Sequence, residues 1–180
     1  AGLLTSTVAS CDGPKPAPAP ASATSTARAT NKVSNNSDGA PALHLDHAQP
    51  KLPTIKLWIG AKEISSELCR TLQQLATGLM FRPSIGEEES MFFVFPQPQP
   101  VAFYMKNVPF EIDAAYIDAD GIITEIVRLK KMDPTPVPSK SKAIQYVLET
   151  APGWFERNGI GVGALIRTSK RSLRETFDSR

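Results

Sequence analysis

Five polar side chains in the middle and later parts of the chain could carry chemistry: Arg82, Lys106, Asn107, Asp113 and Glu149. Two carboxylates and a lysine can form a general acid–base set, in which one group accepts a proton and another donates it. The same side chains can instead form the polar rim of a binding cleft. The residue types alone are compatible with both functions. Nothing in the spacing of these residues requires an acid–base set.

The stretch FYMKN, residues 103–107, leads from bulky apolar residues directly into two polar ones. Strand alternation predicts that Lys106 and Asn107 point to opposite faces unless a bulge intervenes. Asn107 can bind a ligand, or it can bond to backbone at the start of a loop. Asp113 shares a predicted strand face with apolar residues, so it needs a cation or several donors. Lys106 and Arg82 are its two expected partners, and each could equally face a ligand.

Apolar residues near these groups predict the lining of a cleft. Phe93, Tyr104 and Met105 are the expected lining residues, and the polar candidates would give the cleft its rim. Glu149 lies in an apolar stretch, where it could be a partnered structural carboxylate or a ligand contact. We therefore predict ligand-binding roles for Arg82, Phe93, Tyr104, Met105, Lys106, Asn107, Asp113 and Glu149.

Sulfur-containing residues form a second set of candidates. Met80, Met91 and Met105 could together hold Cu(I), which favours soft thioether ligands. Methionine is also common core filler, and we favour that interpretation together with a buried, inert Cys69. No histidine follows residue 51, which excludes histidine-based triads and nearly every zinc site from the folded part. We expect no metal and no cofactor.

The elements that must position these side chains are mainly predicted strands. The expected strands cover residues 54–60, 63–69, 91–95, 101–105, 111–118, 122–129, 144–149 and 164–167. Short helices are expected within 70–81 and 153–159, and the proline-rich stretches 96–100 and 132–142 are expected to be loops. The apolar run 91–95 predicts a strand covered on both faces. The fold class is mainly β, with antiparallel sheets in a sandwich or barrel and one or two short helices.

The two ends of the chain differ in composition from the middle. Residues 1–51 are rich in Pro, Ala, Ser and Thr, which predicts a disordered tether. Within it, Val8-Ala9-Ser10-Cys11 resembles a bacterial lipobox, so Cys11 is the expected site of lipid attachment. Residues 52–168 are predicted to form one β-rich domain, and residues 169–180 a charged tail. The formal net charge of +2 among 180 residues gives no argument for a nucleic-acid partner.

Three longer stretches carry a resemblance to a known family. They are TGLMFRPS, MFFVFPQPQPVAFYMKNVPFEIDAAYIDADG and YVLETAPGWFERNGIGVG. Together they resemble the domain of unknown function 192 family, also called uncharacterised protein family 0127, over roughly residues 54–168. The resemblance implies a mainly β, sandwich-like fold and frequent export with a signal peptide, but no established activity. The chain departs from the family pattern at Tyr104, where Trp is usual, and at Ala164, where a carboxylate is usual.

These observations lead to one main functional hypothesis and two alternatives. The main hypothesis is an exported, lipid-anchored domain on the periplasmic side of the bacterial cell envelope. It would bind a small ligand or a partner in an apolar cleft with a polar rim. The first alternative is an enzyme that uses Asp113, Glu149 and Lys106, and the second is a protein-interaction module. The partners expected are a membrane, through the lipid, and a small molecule or a protein.

Overall fold

The computed structural model describes residues 2–3, 43–169 and 171–177. The lipobox around Cys11 and the tether up to residue 42 lie outside the described residues. The described elements, in chain order, are β1 (Gly2–Leu3), β2 (Thr54–Ile59), β3 (Lys62–Cys69), α1 (Leu72–Thr77), β4 (Ser90–Gln99), β5 (Ala102–Tyr104), β6 (Ile112–Ile117), β7 (Ile123–Leu129), β8 (Val137–Pro138), β9 (Ile144–Thr150), α2 (Trp154–Arg157), β10 (Ile166–Thr168) and α3 (Leu173–Phe177).

The strands form two sheets, which confirms the prediction of a mainly β fold. The larger sheet has seven strands in the order β10-β2-β3-β4-β9-β6-β7, and the smaller has three in the order β1-β5-β8. The expectation of antiparallel pairing is wrong at one place, because β3 and β4 pair in parallel. A parallel pair needs a crossover connection, and here the chain between the two strands includes α1.

The seven-stranded sheet is apolar on both faces, as the run 91–95 predicted. We call the face that carries Met91, Phe93 and Val147 the inner face, and the other the outer face. The small sheet covers the inner face, where the Phe103 ring meets Phe93 edge-on with centroids 5.1 Å apart. The outer face packs in a separate cluster that includes Trp154 of α2. Side chains from the inner face are therefore shielded from water by β5 and its neighbours.

Residues 96–99 are strand rather than the predicted loop. β4 continues through them to Gln99, but its register with β9 shifts between Val94 and Gln99. Pro96 and Pro98 are exposed within this irregular stretch. A proline cannot donate a ladder hydrogen bond, and the shift places both prolines where no ladder partner is required.

Helix α1 begins where the sequence predicted. Thr71 is its N-cap and accepts a hydrogen bond from the Gln74 N–H at 3.2 Å, while the Gln74 side chain accepts from the Thr71 N–H at 3.1 Å. This reciprocal capping box satisfies two of the N–H groups that a helix start leaves unpaired. The helix then directs the chain across the end of the inner face towards Met80, which is fully buried.

Both segments expected to lie outside the domain contribute to its packing. In the predicted tail, α3 buries Leu173 completely, and the Phe177 ring lies 6.0 Å from the Phe92 ring. In the predicted tether, Gln49 is buried, and the Leu45 N–H donates to Thr77 Oγ1 at 3.1 Å. The compact part of the described chain thus starts before residue 52 and extends to Phe177.

Candidate functional site

Glu149 is the most unusual polar residue that the structure describes. It lies on β9 between β4 and β6, directly opposite Met91 on one side and Ala114 on the other, so its side chain is on the inner face. The residue is 0% exposed, and neither carboxylate oxygen has a hydrogen-bond partner among the described residues. Burial without partners disfavours the charged form and raises the pKa of Glu149 to about 7.

Sulfur and amide groups surround this part of the inner face. The Gln49 amide Nε2 lies 3.9 Å from Cys69 Sγ and 3.9 Å from Met91 Sδ. The same amide donates to the Gly78 carbonyl at 2.8 Å, which ties residue 49 to the end of α1. Burial, and after it the charge of Glu149, raises the pKa of the Cys69 thiol, so Cys69 is a protonated thiol near the carboxylate. Gln49 therefore closes the inner face beside Met91 and Cys69.

Arg82 and Glu67 form a structural ion pair near the predicted site. Arg82 makes a bidentate ion pair with Glu67, in which Nη1 donates to Oε1 at 2.6 Å and Nη2 donates to Oε2 at 2.7 Å. Both side chains are nearly buried. The Leu52 N–H also donates to Glu67 at 2.8 Å. Although burial acts to raise it, the pKa of Glu67 is lowered, because Arg82 and this N–H stabilise its charge. Arg82 is consequently already occupied and does not meet Asp113.

Asp113 has Arg128 as its partner, not Lys106 or Arg82. Its carboxylate accepts hydrogen bonds from Arg128 and, at 2.7 Å, from the Gly153 N–H. Arg128 is directly opposite Asp113 on the neighbouring strand β7. A cross-strand ion pair of this kind was available from the sequence, since the hairpin turn at Asp120-Gly121 fixes which residues of β6 and β7 meet.

The strand register separates the residues of the proposed acid–base set. Ala114 is opposite Glu149 and Asp113 is opposite Thr150, so adjacent residues of β6 place the two carboxylates on opposite faces of the sheet. Lys106 is exposed in the turn after β5. Asp113, Glu149 and Lys106 therefore do not form one acid–base set.

Lys106 and Asn107 belong to a turn, so the alternation predicted for them does not apply. β5 ends at Tyr104, and Asn107 adopts a left-handed conformation with φ of 61°. Its backbone carbonyl accepts the Phe81 N–H at 2.7 Å. Asn107 thus has a structural role as a left-handed turn residue, because asparagine tolerates this conformation better than most residues. This role comes from its backbone, whereas the sequence predicted a bond from its side chain to backbone.

The predicted apolar lining residues are divided between the core and a surface cleft. Phe93 is fully buried in the inner-face cluster, which also includes Met80, Met91 and Met105. Tyr104 and Met105 border a cleft of about 150 Å³, whose polar groups come from Arg128, Lys130 and Asp133. Among the described residues there is no group of three or more His, Cys, Asp or Glu side chains suited to a metal.

Comparison with known proteins supports the resemblance. The family model described as "Uncharacterized ACR", domain of unknown function 192, matches residues 55–168. The chain belongs to the domain of unknown function 192 family. No curated protein matches the sequence. The family membership confirms the prediction made from the three sequence stretches, and it adds no activity.

Two crystal structures are similar in fold. One is a proposed transcription regulator from Sinorhizobium meliloti 1021, with a TM-score of 0.60 and 24% identity, over 68% of this chain and 98% of that chain. The other is a protein of unknown function from Novosphingobium aromaticivorans DSM 12444, with a TM-score of 0.60 and 30% identity, over 64% of this chain and 86% of that chain. No helix among the described residues is long and apolar enough to span a membrane.

Proposed function

We propose that this protein is a ligand-binding domain whose site is built around Glu149, and that lipid on Cys11 holds it at the periplasmic side of a bacterial membrane. The observation that carries the binding proposal is the fully buried Glu149 carboxylate, which has no hydrogen-bond partner among the described residues. No comparable carboxylate lies elsewhere in the described core, because Glu67, Asp113 and Glu125 each accept at least one hydrogen bond.

An unpartnered carboxylate is costly for a folded protein. Burying a polar group without compensation costs roughly 2–7 kcal/mol, depending on the reference state, and native proteins pair nearly all such groups. An apolar residue on β9 would avoid this cost, as Val147 does two residues earlier on the same face. We infer that the carboxylate is retained because a molecule from outside completes its hydrogen bonds.

The surroundings of Glu149 define what that molecule must carry. A carboxylate accepts hydrogen bonds and attracts positive charge, so the ligand needs an ammonium, a guanidinium or several hydroxyl donors. Met91 and Ala114, which flank the carboxylate, favour an apolar or small body for the remainder of the ligand. An anionic ligand is disfavoured, because Arg82 is already paired with Glu67.

A ligand would approach past Gln49. This side chain lies beside Met91, the residue opposite Glu149, and its segment is attached to α1 through Gln49 and Leu45. Displacing the Gln49 amide would break its hydrogen bonds to the Gly78 and Gln74 carbonyls. We therefore expect that a ligand reaches the site only when Gln49 moves.

The envelope location is supported by the chain's first residues and by its family. A cysteine after three small or apolar residues, followed by a long proline- and serine-rich stretch, suits a lipid anchor with a flexible spacer. Export is frequent in the family that the chain resembles. Both features support the proposal that the ligand-binding domain lies outside the cytoplasm, within reach of the membrane.

Thermal unfolding in the presence of small probes tests the binding proposal. The panel contains alkylammonium ions, guanidinium compounds and hydroxyl-rich sugars. Carboxylates and phosphates of similar size serve as the anionic probes. We expect at least one donor or cationic probe to raise the melting temperature of the wild type, because a ligand that binds only the folded state stabilises it. Anionic probes should leave it unchanged.

Two substitutions provide the comparison. Glu149→Gln removes the charge with almost no change in shape and should abolish the probe's effect. Glu125→Gln changes a buried carboxylate on β7 that already accepts the Lys140 N–H, so it should preserve the effect. No stabilising probe in the wild type, or an equal shift in Glu149→Gln, would refute the proposed site.

A further inference from the structure

Three surface turns meet at one place on the molecule, at the end of β5. Phe81, Asn107 and Met132 lie on these turns, and they are the three non-glycine residues with positive φ in the described chain, at 63°, 61° and 57°. The Phe81 N–H donates to the Asn107 carbonyl at 2.7 Å, and the Met132 N–H donates to the Val108 carbonyl at 2.9 Å. These bonds join the turns backbone to backbone.

The residue types at two of these positions are unexpected for their conformation. Glycine and asparagine adopt positive φ at little cost, whereas a bulky side chain there costs roughly 1–3 kcal/mol. Phe81 and Met132 nevertheless occupy the left-handed region, and both are exposed, by 38% and 56%. Both apolar side chains therefore present a large part of their surface to solvent at strained backbone positions. This points to a role at the surface.

Lysines flank the same turns. Lys106 precedes Asn107 and Lys131 precedes Met132, and both lysines are exposed. Neither pairs with an acidic residue in the part of the chain that the structure describes. Asp133, two residues after Lys131, accepts the Thr135 N–H at 2.9 Å, and its carboxylate interacts electrostatically with Lys130. We call Phe81, Lys106, Lys131 and Met132 the three-turn patch.

We infer that the three-turn patch docks on an anionic lipid surface. Apolar side chains beside lysines suit the membrane interface, where the apolar groups enter the headgroup region and the ammonium groups meet lipid phosphates. The hydrogen-bonded turns hold the four residues in place, so little conformational entropy is lost on docking. This surface is separate from Glu149 and does not depend on the lipid at Cys11.

Flotation of the full chain with lipid vesicles tests this inference. Every protein carries Cys11→Ala, so no acyl chain contributes. The vesicles are phosphatidylcholine, with or without one-third phosphatidylglycerol. We expect binding to the anionic vesicles only, weakening as salt is added, because screening reduces attraction between exposed charges. The double variant Lys106→Glu with Lys131→Glu should lower the partition coefficient roughly tenfold or more, since each lysine contributes about fivefold.

A second double variant separates docking from folding. Phe81→Asn with Met132→Asn removes both apolar side chains but keeps residues that accept positive φ, so the melting temperature should stay unchanged or rise. Its vesicle binding should fall roughly tenfold, since two inserted apolar side chains are lost.

Matched controls come from the opposite end of the sheet. Val162→Asn removes an apolar side chain that is more exposed than Phe81 or Met132, and its loop bonds to Ile123, at the far end of β7 from Met132. Those ends are about 20 Å apart at the usual rise per residue. Lys142→Glu reverses an exposed charge before β9. Both controls should bind like the parent. Equal binding of the parent to neutral and anionic vesicles, or unchanged binding of both patch variants, overturns the inference.

Discussion

Glu149 differs from the three other buried carboxylates that the structure describes. Glu67 has Arg82, Asp113 has Arg128, and Glu125 has the Lys140 N–H. Glu149 faces a cluster made mainly of apolar and sulfur-containing side chains, and burial raises its pKa to about 7. At the residue scale, the protein therefore keeps one carboxylate close to the midpoint of its titration at neutral pH.

This raised pKa predicts how stability changes with pH. The pKa of Glu149 rises from 4.5 in the unfolded chain to about 7 when folded, so the folded state binds more protons between these values. Stability must then fall as the pH rises through this window, by roughly 3 kcal/mol in total, and level off above it. Urea unfolding of the wild type at pH 5 and pH 8 measures the difference.

Glu149→Gln is the control for that pH dependence. Since the amide does not titrate, this variant should lose most of the stability difference between pH 5 and pH 8. If the variant and the wild type show the same decrease, the titrating group is another residue, and the unpartnered state of Glu149 loses its support.

At the scale of elements, the Arg82–Glu67 pair connects the chain after α1 to strand β3. Arg82→Met leaves a nearly buried Glu67 without its cation, which should lower the free energy of unfolding by roughly 3–5 kcal/mol. Combining Arg82→Met with Glu67→Gln removes the unpaired charge of Glu67 and keeps an acceptor for the Leu52 N–H. Much of the lost free energy of unfolding should therefore be recovered. Chemical denaturation measures both. If Arg82→Met left the free energy of unfolding unchanged, this would contradict the structural role. Arg82 would then again be a candidate ligand contact.

Strand positions were predictable because local patterns determine them. Alternation identified β2 and β3, Thr71 identified the start of α1, and Asp120-Gly121 identified the β6–β7 hairpin. The partners of polar residues were harder to predict, because they depend on which strands become neighbours. Arg82, for example, meets Glu67 only once β3 lies beside the chain that follows α1.

The sequence pattern around Gln49 and α3 was too weak to predict that these residues pack against the domain. Gln49 lies in a segment whose composition predicts disorder, and it is buried because its amide finds the Gly78 carbonyl. α3 is only five residues long, and its apolar side chains are separated by charged ones. For Glu149 the signal was present: a charged residue that directly follows the apolar run Tyr146 to Leu148 of the same strand.

At the scale of the whole molecule, the proposed lipid anchor, spacer and ligand-binding domain form one arrangement. Cys11→Ala should move the protein from the membrane fraction to the soluble fraction of cells, because the three-turn patch alone binds weakly. Fractionation followed by immunoblotting measures this shift. Cys69→Ala is the matched control, since Cys69 is buried and should not affect location. Unchanged membrane association of Cys11→Ala would contradict the anchor.

The most direct measurement of the central claim is calorimetric titration of a cationic probe, an alkylammonium ion such as butylammonium, into the purified protein at pH 8. Glu149 is then largely ionised, so we predict binding of one ion per chain, weaker binding at pH 6, and no binding by Glu149→Gln. Glu125→Gln should bind like the wild type. Absence of binding by the wild type, or equal binding by Glu149→Gln, would contradict a cation site at Glu149.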